Sequence, residues 1–172
     1  MTVRRARPDD VAAIGSVHVA VWRSAYAGIL PEAYLARLSS IPHAWQYNAD
    51  IRAGHGVFVA TGGGTVIGFA TATRVRAPNI AEGEVHTLYV LDDWRDRGIG
   101  RKLLQACAEH LRDKGCRSAV LWVLEANGSR WFYQRLGGKP SMHSKTSVGG
   151  VTIPKTAYVW DPIEAMLPAA LP

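Results

Sequence analysis

A polar turn that contains two glycines, residues 92–102, has the residue types that could hold a phosphate. Gly98 and Gly100 lie one residue apart, directly before a segment with helical periodicity. Glycine lets the backbone approach a bulky ligand closely, and the first N–H groups of a helix are unpaired donors at the positive end of its dipole. These features predict a ligand that carries phosphate groups, held where a strand meets this helix.

The turn does not match the common nucleotide-binding patterns. Residues 98–103 lack the third glycine of a dinucleotide fingerprint, and no strand with an acidic end follows at the required distance. The Gly-Lys-Ser/Thr ending of a phosphate-binding loop is absent from the turn as well. A nicotinamide cofactor is therefore disfavoured. A two-glycine turn can also be a plain packing turn, so this segment alone does not identify the ligand.

Two candidate bases precede the turn, on the strand predicted at residues 84–90. Glu84 begins this strand and His86 follows two residues later. The two-residue period of a strand predicts that residues 84, 86, 88 and 90 share one face. A carboxylate or an imidazole there could act as a general base. The alternatives are a solvated carboxylate at a strand end and a half-buried structural histidine.

A candidate acid lies downstream, in a short helix predicted at residues 128–136 and capped by Asn127. The hydroxyl of Tyr133 could donate a proton to a leaving group. Tyrosine has a pKa of ~10, so complete transfer to a less basic group is uphill unless the site lowers the pKa of the tyrosine. The alternative is that Tyr133 packs in the core with Phe132 and Leu136.

Composition indicates an ordinary globular protein of 172 residues, 48% hydrophobic and 20% charged. We expect one domain over residues 1–162 and a loosely held, proline- and alanine-rich tail over residues 163–172. The apolar stretches are too short for a membrane span, and the N-terminus lacks the apolar core of a signal peptide. We therefore expect a cytoplasmic location and no membrane partner.

The cysteines, the histidines and the net charge argue against a metal site and a nucleic-acid partner. Cys107 and Cys116 are expected to be buried thiols, and the six histidines are scattered, so no metal site is predicted. The net charge of +6 is spread along the chain without a dense basic run. A nucleic-acid partner is therefore disfavoured, and a highly phosphorylated small ligand would account for part of the positive charge.

The order of the predicted elements, β-α-α-β-β-β-α-β-α-β-β, predicts an α/β (α+β) domain. Its central sheet should be mixed and mostly antiparallel, with about six to seven strands flanked by helices. Residues 84–90 and 118–124, on either side of the helix that follows Gly100, should form a parallel strand pair. The ligand crevice is expected at the carboxyl end of the first of these strands.

Two motifs together resemble the GNAT superfamily of N-acetyltransferases. The first is the acyl-CoA signature, Arg95-x-x-Gly98-x-Gly100, after an apolar strand that ends Leu88-Tyr89-Val90. The second is Asn127 followed by Phe132-Tyr133-Gln134-Arg135-Leu136-Gly137. The order of elements is also similar over residues 2–160. The resemblance implies the acyl-CoA N-acyltransferase fold, acetyl-CoA as co-substrate, no metal, and direct transfer of the acetyl group, in a ternary complex, to a primary amine of a small molecule or peptide.

The resemblance also implies a role for each matching residue. The backbone of Leu88, Tyr89 and Val90 would pair with the pantetheine arm like an added strand. Glu84 matches the position of a general base, Tyr133 that of the general acid, and Asn127 that of an asparagine that faces CoA. Arg95 opens the signature. The N–H groups that would hold the pyrophosphate are those of Asp96, Arg97, Gly98, Ile99, Gly100 and Arg101.

The chain departs from the family pattern at two places. Asn127 lies one residue closer to Tyr133 than in the commonest form, and Gly138 replaces the phenylalanine often found after Leu-Gly. The alternative function is a non-catalytic acyl-CoA sensor or regulatory module with the same fold. The acceptor pocket should come from the first half of the chain, with Trp22, Tyr26, Trp45 and Tyr47 as candidates. The sequence leaves open the acceptor, the length of the acyl group, and whether the chain is a monomer or a homodimer.

Overall fold

A seven-stranded sheet organises the computed structural model, which describes residues 1–76 and 78–168. The strands are β1 (Thr2–Arg5), β2 (Gly56–Gly62), β3 (Thr65–Arg74), β4 (Gly83–Val90), β5 (Ala119–Leu124), β6 (Lys139–Val148) and β7 (Val151–Trp160). The helices are α1 (Val11–Ala25), α2 (Glu32–Arg37), α3 (Ser40–Arg52), α4 (Ile99–Asp113) and α5 (Arg130–Arg135).

The strand order is β1-β2-β3-β4-β5-β7-β6, and all neighbours are antiparallel except β4 and β5. This arrangement confirms the predicted fold class and the parallel pair around the α4 crossover. Helices cover both faces of the sheet. Leu103, Leu104, Cys107 and Leu111 of α4 are fully buried on one face. Residues of α1 and α3 pack on the other face, around Phe69. No helix within the described ranges is long and apolar enough to cross a membrane.

A β-bulge interrupts the alternation of side chains along β4. Thr87 pairs with Thr71 of β3, whereas Val85 pairs with the adjacent residue, Ala72. His86 is therefore an extra residue in β4. A bulge of this kind turns the strand locally and changes the face to which the following side chains point.

The bulge corrects one of the predictions made from the two-residue period. Val85, Leu88 and Val90 all pack against the core on the α4 side of the sheet. Because Glu84 precedes Val85 in regular strand geometry, it lies on the opposite face. The prediction that Glu84 shares a face with Leu88 and Val90 is therefore wrong, and the extra residue at His86 is the reason.

A cleft opens between the two parallel strands at the centre of the sheet. Residues 83–85 of β4 pair with residues 119–121 of β5, and the strands separate beyond this point. The remaining part of β4, up to Val90, leads directly into the glycine turn and α4. The cleft thus lies at the carboxyl end of β4, where the sequence predicted the ligand crevice.

The end of the domain is more tightly packed than its composition indicated. Residues 163–166 form a 3₁₀ turn in which Ile163 and Met166 are buried against α4. The backbone N–H of Ile163 also donates a hydrogen bond to the carbonyl of Arg117. The expectation of a loosely held tail is therefore wrong for residues 163–166, because two apolar side chains hold them to the core. Residues 169–172 lie outside the described part of the chain.

Candidate active site

A cavity of about 230 Å³ opens at the glycine turn, between the end of β4, the start of α4, and α5. We call it the turn cavity. All the predicted site residues line it except Glu84, Arg97 and Arg101. Phe132 and Arg135 of α5 line it as well. The structure therefore brings the strand end, the two-glycine turn and Tyr133 together, although they are far apart in the sequence.

The backbone of the turn presents hydrogen-bond donors to this cavity. Gly98 has a φ of 73° and is the N-cap of α4, and the space where its side chain would be is open. The first bond of the helix runs from the N–H of Lys102 to the carbonyl of Gly98, at 3.2 Å. The N–H groups of Ile99, Gly100 and Arg101 precede it and have no acceptor within the helix. Such a set of donors suits an anionic oxygen group.

The arginines of the turn differ in where their side chains lie. Arg95 lines the turn cavity and pairs with Asp92 at 2.9 Å; both side chains are about half exposed, so this pair contributes little to stability. The guanidinium of Arg97 lies over the ring of Trp94 and donates to the carbonyl of Asp93. Neither Arg97 nor the exposed Arg101 lines the cavity.

A second cavity, of about 290 Å³, lies against the hairpin formed by β6 and β7. We call it the hairpin cavity. Its walls come from α1, β4, β5 and the hairpin, and include Trp22, Tyr26, His86, Trp122, Thr146 and Lys155. Four residues line both cavities: Leu88, Tyr89, Asn127 and Tyr133. The two cavities therefore meet at the point where β4 and β5 separate.

Three tyrosines surround this meeting point and remain protonated at neutral pH. Burial raises the pKa of Tyr89 to about 12, and its hydroxyl accepts a hydrogen bond from Nε1 of Trp22 at 3.0 Å. Burial also raises the pKa of Tyr26, although the nearby amide of Asn127 opposes the rise. The pKa of Tyr133 is raised by burial and further by the neighbouring Tyr89 and Tyr26. A buried phenol of this kind is a hydrogen-bond donor rather than a strong acid.

The hydroxyl of Tyr133 opens on the two cavities. The ring is buried and packs against Tyr158 and Trp160. In residues 1–76 and 78–168, every fully buried side-chain polar atom has a hydrogen-bond partner. The hydroxyl of Tyr133 forms no hydrogen bond within these residues, so it is not fully buried. The ring of Tyr133 is therefore part of the core, while the residue also lines both cavities, and its role as an acid stays a prediction.

The glycine that replaces the usual phenylalanine has a steric explanation. A Cβ atom at Gly138 would lie 2.7 Å from the indole of Trp160 and 3.0 Å from the carbonyl oxygen of Tyr133. The indole Nε1 of Trp160 donates to the carbonyl of Leu136, which fixes the end of α5. Trp160 thus occupies the space beside residue 138, and the departure from the family pattern changes local packing.

The two candidate bases contact each other beside the hairpin cavity. Oε2 of Glu84 lies 3.1 Å from Nδ1 of His86, and Nε2 of His86 lies 2.6 Å from Oγ1 of Thr73. His86 lines the hairpin cavity, whereas Glu84 lies behind it. In the neutral imidazole, an Nδ1–H that donates to Glu84 leaves Nε2 as an acceptor.

Asn127 holds the turn before α5 instead of capping the helix directly. Its Oδ1 accepts hydrogen bonds from the N–H of Ser129, at 3.0 Å, and from the hydroxyl of Ser129, at 2.7 Å. α5 begins at Arg130 with Ser129 as its N-cap. The predicted helix start is therefore two residues early, because the side chain of Asn127 stabilises a turn of its own.

The hairpin cavity contains residues that the sequence did not indicate. Trp22 and Tyr26 are two of the four aromatic candidates and do line it, whereas Trp45 is 74% exposed on α3 and Tyr47 is buried against His18. Trp122, Thr146 and Lys155 also line the cavity, but the sequence did not predict them as part of the acceptor pocket. The only signal was a lysine, at 155, inside an otherwise β-branched and apolar strand.

Comparison with known proteins identifies the family. The model of the acetyltransferase (GNAT) family matches residues 16–138, which include the glycine turn and Tyr133. This chain belongs to the GNAT family. The uncharacterized N-acetyltransferase YuaI of Bacillus subtilis is 33% identical over 168 residues, 96% of each chain.

Two solved structures share the GNAT fold. The PaiA N-acetyltransferase of Thermoplasma acidophilum, in complex with coenzyme A, has a TM-score of 0.73 and 20% identity, over 93% of this chain and 98% of that one. YncA of Salmonella typhimurium, solved with its cofactor acetyl-CoA, has a TM-score of 0.72 and 22% identity, over 100% of this chain and 97% of that one. These findings confirm the resemblance on which the sequence prediction rests, and with it an acyl-CoA-dependent acetyltransferase.

Proposed function

We propose that this GNAT acetyltransferase transfers an acetyl group from acetyl-CoA to the primary amine of a small molecule. The donor binds in the turn cavity and the acceptor in the hairpin cavity. One observation carries the proposal: the two cavities lie on either side of the opening between β4 and β5 and share Tyr133 and Asn127 in their walls.

The residues of the turn cavity fit CoA. The free N–H groups of Ile99, Gly100 and Arg101 suit the pyrophosphate, with Arg95 and Arg135 beside them. The part of β4 beyond its pairing with β5 offers backbone groups to the amides of the pantetheine arm. Bound acetyl-CoA supplies an acetyl group activated as a thioester.

The walls of the hairpin cavity favour a small acceptor over a peptide. Trp22, Tyr26 and Val148 line the cavity and also belong to an apolar cluster that joins α1 and α2 to the β6–β7 hairpin. At the tip of the hairpin, a Cβ atom at Gly149 would lie 2.8 Å from the ring of Tyr34. These contacts pack the hairpin against α1 and α2 beside the cavity, an arrangement that favours a small acceptor over an extended peptide.

His86 and Glu84 are placed to remove a proton from the acceptor amine. Neutralising an amine with a pKa of ~10.4 at pH 7 costs about 4–5 kcal/mol, so a nearby base helps. Nε2 of His86 accepts the proton, directly or through water, after its hydrogen bond with the hydroxyl of Thr73 has broken. Glu84 holds the other ring nitrogen and stabilises the imidazolium that forms.

Tyr133 donates a hydrogen bond to the departing sulfur. Its raised pKa keeps the hydroxyl protonated but makes complete proton transfer to a thiolate unfavourable. We therefore assign it to stabilising charge on the sulfur as the C–S bond breaks. Both cysteines are buried, and burial raises the pKa of each thiol, so neither is a suitable nucleophile for a covalent intermediate. Direct attack by the amine follows.

The test is a screen of amines for release of free CoA thiol from acetyl-CoA. The panel includes amino acids, polyamines, aminoglycosides and peptides. The proposal expects steady thiol release with at least one small-molecule amine and slower release with peptides. Tight CoA binding without turnover on the whole panel would contradict it and would favour an acyl-CoA sensor.

A further inference from the structure

The hairpin cavity carries positive and no negative charge on its walls. His86 and Lys155 are the ionisable side chains of its lining besides tyrosines, and no carboxylate lines it among residues 1–76 and 78–168. Nζ of Lys155 lies 4.5 Å from the centre of the Trp122 ring, in a cation–π contact. A further positive charge placed next to Lys155 is therefore unfavourable.

Lys155 has no acidic partner that would neutralise it. In the part of the chain that the structure describes, no carboxylate oxygen lies within 4.0 Å of its ammonium group. Glu125, which follows the strand partner of Lys155, accepts a hydrogen bond from Thr156 and lies 3.4 Å from His143. Because Thr156 and Lys155 point to opposite faces of β7, Glu125 is engaged on the other side of the sheet.

We propose that Lys155 binds a carboxylate of the acceptor, so that the acceptor is a small amino acid-like molecule. This inference rests on the proposed function and narrows its acceptor class. A polyamine or an aminoglycoside would place additional positive charge beside an unpaired ammonium group, which costs free energy in a partly desolvated cavity. A carboxylate in the same place forms a charge-assisted hydrogen bond.

The arrangement of the walls gives the acceptor a direction. In this proposal the amine lies beside His86 and Tyr133, and the carboxylate lies beside Lys155. Between them, Trp22 and Tyr26 offer an apolar wall to a side chain. A cavity of about 290 Å³ is at the small end of the usual range for ligand sites, which suits a molecule of this size.

The experiment compares amino acids with their own amides and decarboxylated amines, together with spermidine. Thiol release should be fastest with an amino acid and at least roughly tenfold less efficient with the matching amide or amine, because the charge-assisted bond to Lys155 is lost. The amide is a strict comparison because it keeps the size and the apolar side chain. Preference for spermidine or for the decarboxylated amines would overturn the proposal.

Variants of Lys155 separate its role from a general effect on folding. Lys155→Gln should raise KM for the amino acid by roughly tenfold while kcat changes by less than about threefold, and Lys155→Arg should restore most of the loss. Neither should change KM for the decarboxylated amine. Lys145→Gln, an exposed lysine on β6 outside both cavities, is the matched control and should behave as wild type.

A binding measurement distinguishes failure of this inference from failure of the proposed function. Calorimetric titration of amino acids into the CoA-bound protein should show binding that Lys155→Gln weakens by roughly tenfold. If no amine is acetylated, the proposed function fails, and the titration still decides the role of Lys155. Equal binding to wild type and Lys155→Gln, or no binding of any amino acid, would overturn it.

Discussion

The turn cavity and the hairpin cavity meet at Tyr133 but are built in different ways. The turn cavity is lined by the end of β4, the glycine turn and the start of α4, which are contiguous, together with residues of α1 and of the α5 region, and its N–H donors belong to the backbone. Side chains from several separate parts of the chain form the hairpin cavity. A backbone site needs only the right conformation to bind its ligand, whereas a side-chain site takes its selectivity from each residue. We infer that the first cavity is suited to a constant donor and the second to a particular acceptor.

The largest expected effect comes from the residue that both cavities share. Tyr133→Phe removes the hydrogen-bond donor to the sulfur but keeps the buried ring, so kcat should fall by about 100-fold. The affinity for CoA should stay within about threefold, because the turn is unchanged. Steady-state kinetics and calorimetry measure the two quantities. An unchanged kcat, with chemistry shown to be rate-limiting, would remove Tyr133 from the mechanism.

The second prediction separates the turn cavity from the rest of the molecule. Gly98 and Gly64 have φ values of 73° and 81°, and a Cβ atom at either would meet open space. Gly98→Val and Gly64→Val should each lose about 1–2 kcal/mol of stability, because valine resists a positive φ. Only Gly98→Val should weaken CoA binding, by at least about tenfold, since the side chain blocks close approach of the ligand. Equal CoA affinity in both variants would mean that the turn does not bind the donor.

The third prediction concerns the hairpin side alone. Glu84→Gln and His86→Gln should each lower kcat by about tenfold, which is less than the usual effect of a general base because water can replace the side chain. The double variant should be little worse than either single one, since the two residues act as one unit. CoA affinity should not change. Additive losses in the double variant would show that Glu84 and His86 act independently.

The smallest expected effect is on how the stability of the protein depends on pH. It comes from His18, which lies behind the hairpin cavity. His18 is buried, its ring stacks on His43 at 3.7 Å, and it contacts Trp22 and Tyr89. Burial, with His43 nearby, lowers the pKa of His18 from 6.5 to about 4. The unfolded chain therefore binds a proton at higher pH than the folded one, and stability falls as the pH falls through 6.5 towards 4.

Denaturant unfolding at several pH values measures this contribution. Wild type should lose about 1 kcal/mol more than His18→Gln between pH 7 and pH 5.5, because only wild type has this buried imidazole. The carboxylates and the other histidines titrate in both proteins and cancel in the comparison. A parallel loss in the two proteins would show that His18 is not held in its neutral form.

The sequence was sufficient for the turn cavity because its determinants are local. The strand end, the two glycines and the helix start are contiguous, and each has a backbone conformation that its residue types favour. Tyr133, which lines the same cavity, was predicted from a second short motif. The order of elements and the parallel pair followed from the hydrophobic periods in the same way.

The hairpin cavity could not be assembled from the sequence because its residues meet only in the folded sheet. Lys155 and Trp122 lie on strands whose register is set by pairing, and nothing in their own segments shows which face they share. The bulge at His86 changed the expected alternation of side chains along β4. No glycine at that position indicated a bulge in the sequence. Trp45 and Tyr47 were candidates because they are aromatic, but one is exposed and the other is buried in the core.

Two-substrate initial-rate kinetics test the central claim most directly. If acetyl-CoA and the acceptor occupy the two cavities at the same time and react at Tyr133, initial rates over a matrix of both concentrations should give intersecting lines in double-reciprocal plots. Parallel lines would show that the first product leaves before the acceptor binds. That result would contradict direct transfer across the shared wall of the two cavities.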